Sequence, residues 1–201
     1  LFALLLKRQL SWKPFLIVPF IYLLSLVPAW IAGRNFSDLF LIYARQSNTY
    51  HELSKHAPNF YIWFPNSVYD FLYPAGLLLG FSVAFLIIAG LVKSQRAVDR
   101  DLIVQSAFVF VLCVPYFLPK MHERYFYVAD VLAIVYAFYF PKYFYVPIVV
   151  IFCSFLSYLP YLFGIDVPLN LVSLVLGSMI VVAAYHFVES LRSITNEKSG
   201  Y

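Results

Sequence analysis

The apolar residues of this chain fall in long blocks, and the polar residues collect in stretches between them. A block of about 20 apolar residues is long enough to cross the roughly 30 Å hydrocarbon core of a bilayer as an α-helix. The pattern therefore predicts one domain over 1–201, an all-α, polytopic transmembrane helical bundle of about six spans with an aromatic-rich external loop at 34–70. The predicted spans are 14–33, 71–92, 102–119, 125–140, 143–164 and 168–188.

The composition of the chain indicates a lipid environment. Of the 201 residues, 63% are hydrophobic and only 12% are charged, whereas an ordinary soluble domain carries about 25% charged residues. So few charges cannot coat a water-facing surface, so we expect membrane lipid as a partner and no nucleic acid. Residues 1–6 form an apolar stub that resembles the tail of an earlier membrane helix, and we therefore expect the chain to be a fragment of a longer protein.

Basic residues are divided unevenly between the two sides of the predicted bundle. With six spans both termini share a side, and nine of the 14 Lys and Arg residues then lie on that side. Because Lys and Arg are enriched in cytoplasmic loops, this bias predicts cytoplasmic termini. The 34–70 loop and the Lys120–Arg124 turn are then extracytoplasmic.

The long external loop is too rich in Phe, Tyr and Trp for a simple solvated linker. We expect Ser37 to cap a short helix, and we expect 57–66 to lie on the outer surface or dip back into the protein. Interfacial anchoring explains the aromatic residues but explains the polar ones less well. Gln46, Tyr50 and Asn59 can hydrogen-bond a substrate sugar or phosphate, or support the structure.

The sharpest chemical signal is a cluster of four ionisable residues in five positions: Lys120, His122, Glu123 and Arg124. An Arg or Lys at the centre of a membrane helix costs roughly 2.5–3.5 kcal/mol on insertion scales, so the cluster must lie near the interface or line a polar cavity. The span at 125–140 is about 24 Å long as a helix, which is short of a 30 Å core. We therefore expect the helix to continue back through Glu123, which places the cluster at the depth of a lipid phosphate.

Asp130 is a further ionisable residue of this span. Seven residues separate it from Glu123, which predicts that both share a helix face with Tyr127 between them. An ionisable residue within the membrane indicates a functional site by default. Asp130 can instead be a structural partner of Arg124, and Glu123 and Arg124 can simply form ion pairs within the bundle.

A string around this cluster resembles the outward motif of GT-C glycosyltransferases, most closely that of bacterial membrane proteins similar to GPI-anchor mannosyltransferase II. A looser upstream pattern resembles the same group, and the resemblance covers about 30–145. The string is Leu118-Pro119-Lys120-Met121-His122-Glu123-Arg124-Tyr125, and the upstream pattern is Gln46, Tyr50, Ala57-Pro58-Asn59 and Trp63.

The resemblance implies a mannosyltransferase-like enzyme. It would move a sugar from a polyprenyl-phosphate carrier to an acceptor glycan or lipid outside the cytoplasm, with the lipid-linked sugar donor as the only cofactor-like group. His122, Glu123 and Arg124 match the motif that engages the carrier phosphate, and Lys120 adds a cation suited to the same task.

The chain departs from the family in its catalytic acid. Family members carry that residue on the first external loop, and neither Asp38 nor Asp70 matches the pattern. We therefore assign no catalytic base and expect this chain alone to be inactive. A polar-lipid transporter or flippase that uses Asp130 for proton coupling, and a non-catalytic membrane scaffold, are the alternatives.

Two other polar sets carry no predicted function. His51 and His56 are five residues apart, a spacing that puts the two imidazoles on different faces of a helix, so no metal site is predicted. His186 and Glu189 are interpreted as an ordinary polar helix end.

Overall fold

The protein, described from a computed structural model over residues 2–42 and 50–192, consists of two compact units, Leu1–His51 and Glu52–Tyr201. Five helical segments are long and apolar enough to cross a membrane. The predicted fold class, an all-α polytopic bundle, is thus confirmed, and the chain has the helices of an integral multi-pass membrane protein.

The Leu1–His51 unit contains one long apolar helix. Helix α1 (Phe2–Leu6) is followed by a 3-10 turn that leads into α2 (Ile17–Ile31), and α3 (Phe36–Phe40) comes after it. Only 6% of the apolar stretch around α2 is buried inside the protein, so nearly every face of this helix is available to lipid. The short helix is present, but Asn35 caps it in place of Ser37, because the Asn35 side chain accepts a hydrogen bond from the Ser37 amide at 3.0 Å.

The Glu52–Tyr201 unit is a bundle of five helices. Four of them lie in segments long enough to span a membrane, whereas α6 has 13 residues. Helix α5 packs against α4, α6 and α8, and α7 packs between α6 and α8, so α5 is the central helix. The five are α4 (Tyr69–Lys93), α5 (Arg100–Phe117), α6 (Tyr127–Tyr139), α7 (Tyr145–Phe163) and α8 (Leu169–Arg192).

The fourth predicted span, 125–140, is built differently from a regular membrane helix. Helix α6 alone is about 20 Å long at 1.5 Å per residue, and a four-residue 3-10 helix, Glu123–Phe126, runs directly into it. At about 2.0 Å per residue the 3-10 helix adds roughly 8 Å. The two together reach about 28 Å, close to the thickness of the hydrocarbon core.

The tighter 3-10 turn also changes which residues face the bundle. Glu123, Phe126 and Ala129 are buried at a spacing of three, whereas Tyr127 is 64% exposed. The expected shared face with Tyr127 between Glu123 and Asp130 is therefore wrong, because an ideal α-helix was assumed across a 3-10 segment with 3.0 residues per turn.

Residues 53–61 lie largely within the protein, so the first half of 57–66 takes one of the two positions expected for it, whereas 63–66 are exposed. Leu53, Ala57, Asn59 and Tyr61 are each at most 2% exposed. Two glycines of α4 make room for it: a Cβ at Gly76 would lie 2.8 Å from Tyr61 Cζ, and one at Gly80 would lie 2.7 Å from Leu118 Cγ. Gly76 and Gly80, which are four residues apart, thus form a groove on α4. This groove of α4 holds Tyr61 of the re-entrant segment and Leu118 of the turn after α5.

Candidate functional site

A two-residue strand pair joins two distant parts of the chain at one end of the bundle. Strand β1 (Ser54–Lys55) pairs in parallel with β2 (Met121–His122), and the Lys120 amide donates to the Leu53 carbonyl at 2.7 Å. Strands of this length have no stability of their own, so neighbouring contacts must hold them. The pairing places Lys55, which the sequence did not single out, beside His122.

Buried hydrogen bonds fasten this strand pair to the helices. Asn59 Nδ2 donates to the Leu118 carbonyl at 3.3 Å, although the two residues are 59 positions apart, and Tyr61 Oη donates to the Phe117 carbonyl at 2.9 Å. Ser173 Oγ on α8 donates to the Asn59 carbonyl at 2.8 Å. Each of these bonds satisfies a polar group that would be costly to bury alone, so the segment is fixed against the ends of α5 and α8.

Two residues that flank the strand pair adopt a backbone conformation that is rare for residues with a Cβ. His56 has φ of 54° and Lys120 has φ of 62°, in the left-handed region that costs of order 1–3 kcal/mol for a non-glycine residue. The turn at Lys120 directs its ammonium over the rings of Tyr69 and Tyr73, with Nζ 5.5 and 5.2 Å from the ring centroids. The cation–π contacts help to hold this strained turn.

The His122 cluster, defined here as Lys55, Lys120, His122, Glu123 and Arg124, brings together all four predicted donor-phosphate residues. Glu123 is 7% exposed and its Oε2 lies 4.0 Å from His122 Nδ1, whereas Arg124 is exposed. Burial lowers the pKa of His122, the Arg124 and Lys55 charges lower it further, and the Glu123 and Glu52 charges oppose them. The cluster therefore places three cations near a buried carboxylate and a neutral imidazole.

Asp130 lies in the first turn of α6 and contacts α7. Its Oδ2 accepts a hydrogen bond from Ser154 Oγ at 2.7 Å, and its Oδ1 is buried with no hydrogen-bond partner among the described residues. Tyr158 of α7 interacts electrostatically with Asp130, Glu123 and Arg124. The carboxylate is thus close to residues of the His122 cluster, and one of its oxygens is buried without a hydrogen-bond partner among the described residues.

The other candidate residues take different positions. Asn59 is fully buried, its Oδ1 accepts a hydrogen bond from the Tyr61 amide, and its Nδ2 donates to the Leu118 carbonyl. Of the two roles expected for Asn59, this geometry supports the structural one. Tyr50 belongs to the Leu1–His51 unit and is 46% exposed. Gln46 lies outside the described residues.

A second polar cluster, near the opposite ends of the same helices, was missed by the sequence reasoning. This His186 cluster consists of Gln105, Tyr136, Tyr143, His186 and Ser190. Gln105 Nε2 lies 2.9 Å from His186 Nε2 and donates to Ser190 Oγ at 2.9 Å, Tyr136 Oη lies 2.6 Å from His186 Nδ1, and the Tyr143 ring stacks on the imidazole at 4.0 Å. His186 is therefore the centre of a network between three helices, not an ordinary polar helix end.

Comparison of the chain with protein-family models, with curated proteins and with solved structures finds no match. The likeness to GT-C glycosyltransferases therefore rests on the 118–125 string and the upstream residues alone. The chemical interpretation of the site rests on the geometry of the His122 cluster and of Asp130.

Proposed function

We propose that this chain is the carboxy-terminal part of an integral membrane glycosyltransferase, mannosyltransferase-like, and that the His122 cluster binds the phosphate of a polyprenyl-phosphate sugar on the extracytoplasmic side. The observation that carries the proposal is the β1–β2 pairing. It brings Lys55 next to a run that already holds Lys120, His122 and Arg124, so cations from two separate segments converge on one end of the bundle.

A phosphodiester suits this cluster better than a neutral ligand does. Arg can hold two phosphate oxygens with its planar guanidinium, and Lys adds a point charge. Positive charge fixed in place before the reaction stabilises the phosphate that departs when the sugar is transferred. The cluster lies at the start of a helical segment whose length matches the membrane, which is where the phosphate of a carrier lipid is found.

The decisive experiment replaces cations in the full-length natural protein. We expect Arg124→Ala and His122→Ala to reduce sugar transfer at least 100-fold with normal membrane insertion, because each removes a group that faces the phosphate. Arg124→Lys should recover part of the activity, since the charge remains but two-point contact is lost.

Arg100→Ala is the matched control, because Arg100 is an exposed arginine at the other end of α5. It should transfer sugar at the wild-type rate. Wild-type rates in both Arg124→Ala and His122→Ala would contradict the proposal. Proton-gradient-driven lipid movement without sugar transfer by the wild type would favour a transporter instead.

A further inference from the structure

Asp130 has an unmet hydrogen-bonding requirement close to the proposed phosphate site. One carboxylate oxygen accepts from Ser154 at 2.7 Å, and the other is buried without a partner among the described residues. An unsatisfied charged oxygen inside a protein costs several kcal/mol. The missing partner must be a hydrogen-bond donor.

The surroundings of Asp130 restrict what that donor can be. Tyr158 follows Ser154 by four residues on α7, so both side chains lie on one helix face, and Tyr158 interacts electrostatically with Asp130, Glu123 and Arg124. Arg124 already supplies positive charge here, which disfavours a cationic ligand, and the Asp130 carboxylate repels an anionic one. A neutral group rich in hydroxyls meets the requirement, and a phenol ring such as that of Tyr158 can cover the apolar C–H face of a sugar.

We infer that Asp130, Ser154 and Tyr158 form a subsite for the donor's sugar, in which Asp130 Oδ1 accepts a hydrogen bond from one sugar hydroxyl. This inference rests on the proposed function, because the sugar of a polyprenyl-phosphate donor is bonded directly to the phosphate and must lie next to the group that binds it. The subsite selects a neutral hexose and rejects a uronic acid, whose carboxylate would meet Asp130 and Glu123. Ser154 is a positioning residue that fixes the carboxylate through Oδ2.

The test measures coupling between one side chain and one hydroxyl. Full-length protein is assayed with polyprenyl-phosphate mannose and with its 2-, 3-, 4- and 6-deoxy analogues. Because a hydrogen bond to a charged group is involved, we expect one deoxy donor to lose on the order of 10- to 100-fold in kcat/KM with the wild type. Asp130→Ala and Asp130→Asn should show a similarly reduced kcat/KM with the mannose donor. In these variants the same deoxy donor should have nearly the same kcat/KM as the mannose donor, because the hydrogen bond is already lost.

The outcomes separate this inference from the function on which it rests. If the wild type transfers mannose but Asp130→Asn lowers kcat/KM equally for every donor, or leaves it unchanged, Asp130 has no contact with the sugar. Coupling that appears only with deoxy acceptors would place the acceptor, not the donor, at Asp130 and overturn the assignment. If the wild type transfers sugar from no polyprenyl-phosphate donor, the proposed function itself fails. Tyr158→Phe keeps the ring and should retain most of the activity with all donors.

Discussion

The two ends of the Glu52–Tyr201 bundle both place a histidine among tyrosines, yet the two sites are built in opposite ways. The His186 cluster uses side chains of regular helices together with Tyr143, and its amide, imidazole and hydroxyl groups bond to one another. The His122 cluster comes from two short strands and a 3-10 turn, and Lys120 is held in a strained conformation. The His122 cluster contains Lys, Arg and Glu itself, whereas charged residues border the His186 cluster: Arg96 Nη1 donates to the Ser190 carbonyl at 3.3 Å, and Lys142 Nζ lies 5.6 Å from the Tyr143 ring centroid.

We interpret this difference as one between a network that packs helices together and the site that we propose to bind a phosphate. The hydrogen bonds of the His186 cluster stabilise contacts between helices, although Gln105 Oε1 is buried without a partner among the described residues. The His122 cluster contains three cations and one carboxylate, with the Glu52 charge also acting on His122, and we propose that it attracts an anion. Strain tends to concentrate at functional sites, and among the described residues of the Glu52–Tyr201 unit the two non-glycine residues with positive φ, His56 and Lys120, both lie at the His122 end.

The largest expected effect concerns the side of the membrane on which each end lies. We predict that a cysteine at Ser67, an exposed position near the His122 cluster, reacts fully with a membrane-impermeant thiol reagent in intact cells. A cysteine at Gln95, exposed at the other end, should not react. The native Cys113 and Cys153 are buried, so the parent protein is the background control. Labelling of Gln95 alone would invert the topology and remove the His122 cluster from the side on which we propose the reaction.

The next prediction compares alanine substitutions of the two histidines. In full-length protein, His122→Ala should lower sugar transfer at least 100-fold with little change in the free energy of unfolding. His186→Ala removes the hydrogen-bond partner of Tyr136 and leaves Gln105 Nε2 with Ser190 alone, so it should lower the free energy of unfolding by about 1–3 kcal/mol. Donor binding by the remaining folded fraction should stay at the wild-type level, as measured by titration with a fluorescent lipid phosphodiester. Equal effects of the two variants on binding and on unfolding would erase the distinction between the two ends.

A smaller effect is expected from filling the groove of α4. Gly76→Ala places a methyl group against Tyr61, whose hydroxyl and ring carbon would both be closer than normal contact, and overpacking of this kind costs about 1–3 kcal/mol. Gly90→Ala in the same helix meets only the end of Leu191, at 3.3 Å, and is the control. We expect a lower thermal midpoint in detergent for Gly76→Ala and an unchanged or higher one for Gly90→Ala. The docking of Tyr61 into the groove would be refuted by equal midpoints.

The smallest predicted effect is the pH dependence of donor binding. Burial and the Arg124 charge hold the pKa of His122 below its ordinary 6.5, so the free site has a neutral imidazole at neutral pH. A bound phosphodiester favours the protonated form and raises that pKa, so binding takes up a proton. Affinity should therefore rise a few-fold as pH falls from about 7.5, and it should level off only below the lowered pKa of the free site.

A sugar phosphodiester is the appropriate probe, because it has no ionisation of its own in this range. His122→Gln should bind more weakly and with no dependence on pH. An unchanged pH profile in this variant would assign the proton to another group.

Helix positions could be predicted because lipid imposes a simple rule of length and polarity on each span. The prediction that Ser37 caps α3 was wrong, because the Asn35 side chain, two residues earlier, accepts the capping hydrogen bond from the Ser37 amide. The predicted position of Tyr127, on a helix face between Glu123 and Asp130, was wrong because four residues of 3-10 helix rotate the helix that follows. Nothing in the composition of Glu123–Phe126 signals that geometry.

The site was predictable only in part. The charged run around His122 is visible in the sequence because charges are costly near lipid. Its partner Lys55 is not, because two-residue strands have no periodic pattern and depend on buried contacts from Asn59 and Tyr61. The His186 cluster left one usable signal: Gln105 is a polar residue within an apolar span, and such a residue needs a partner on another helix.

The parallel pairing of β1 with β2 also fixes the order in which the protein can be assembled as it is synthesised. Lys55 emerges from the ribosome 67 residues before its partner His122, and both α4 and α5 lie between them. At 5–20 residues per second the first segment waits roughly 3–13 s for the second. Ser173, which binds the Asn59 carbonyl, comes 114 residues after it. The His122 cluster is therefore completed late, after both intervening helices have entered the membrane, and a ribosome-bound chain ending before α8 would carry the charged residues without the fastening that positions them.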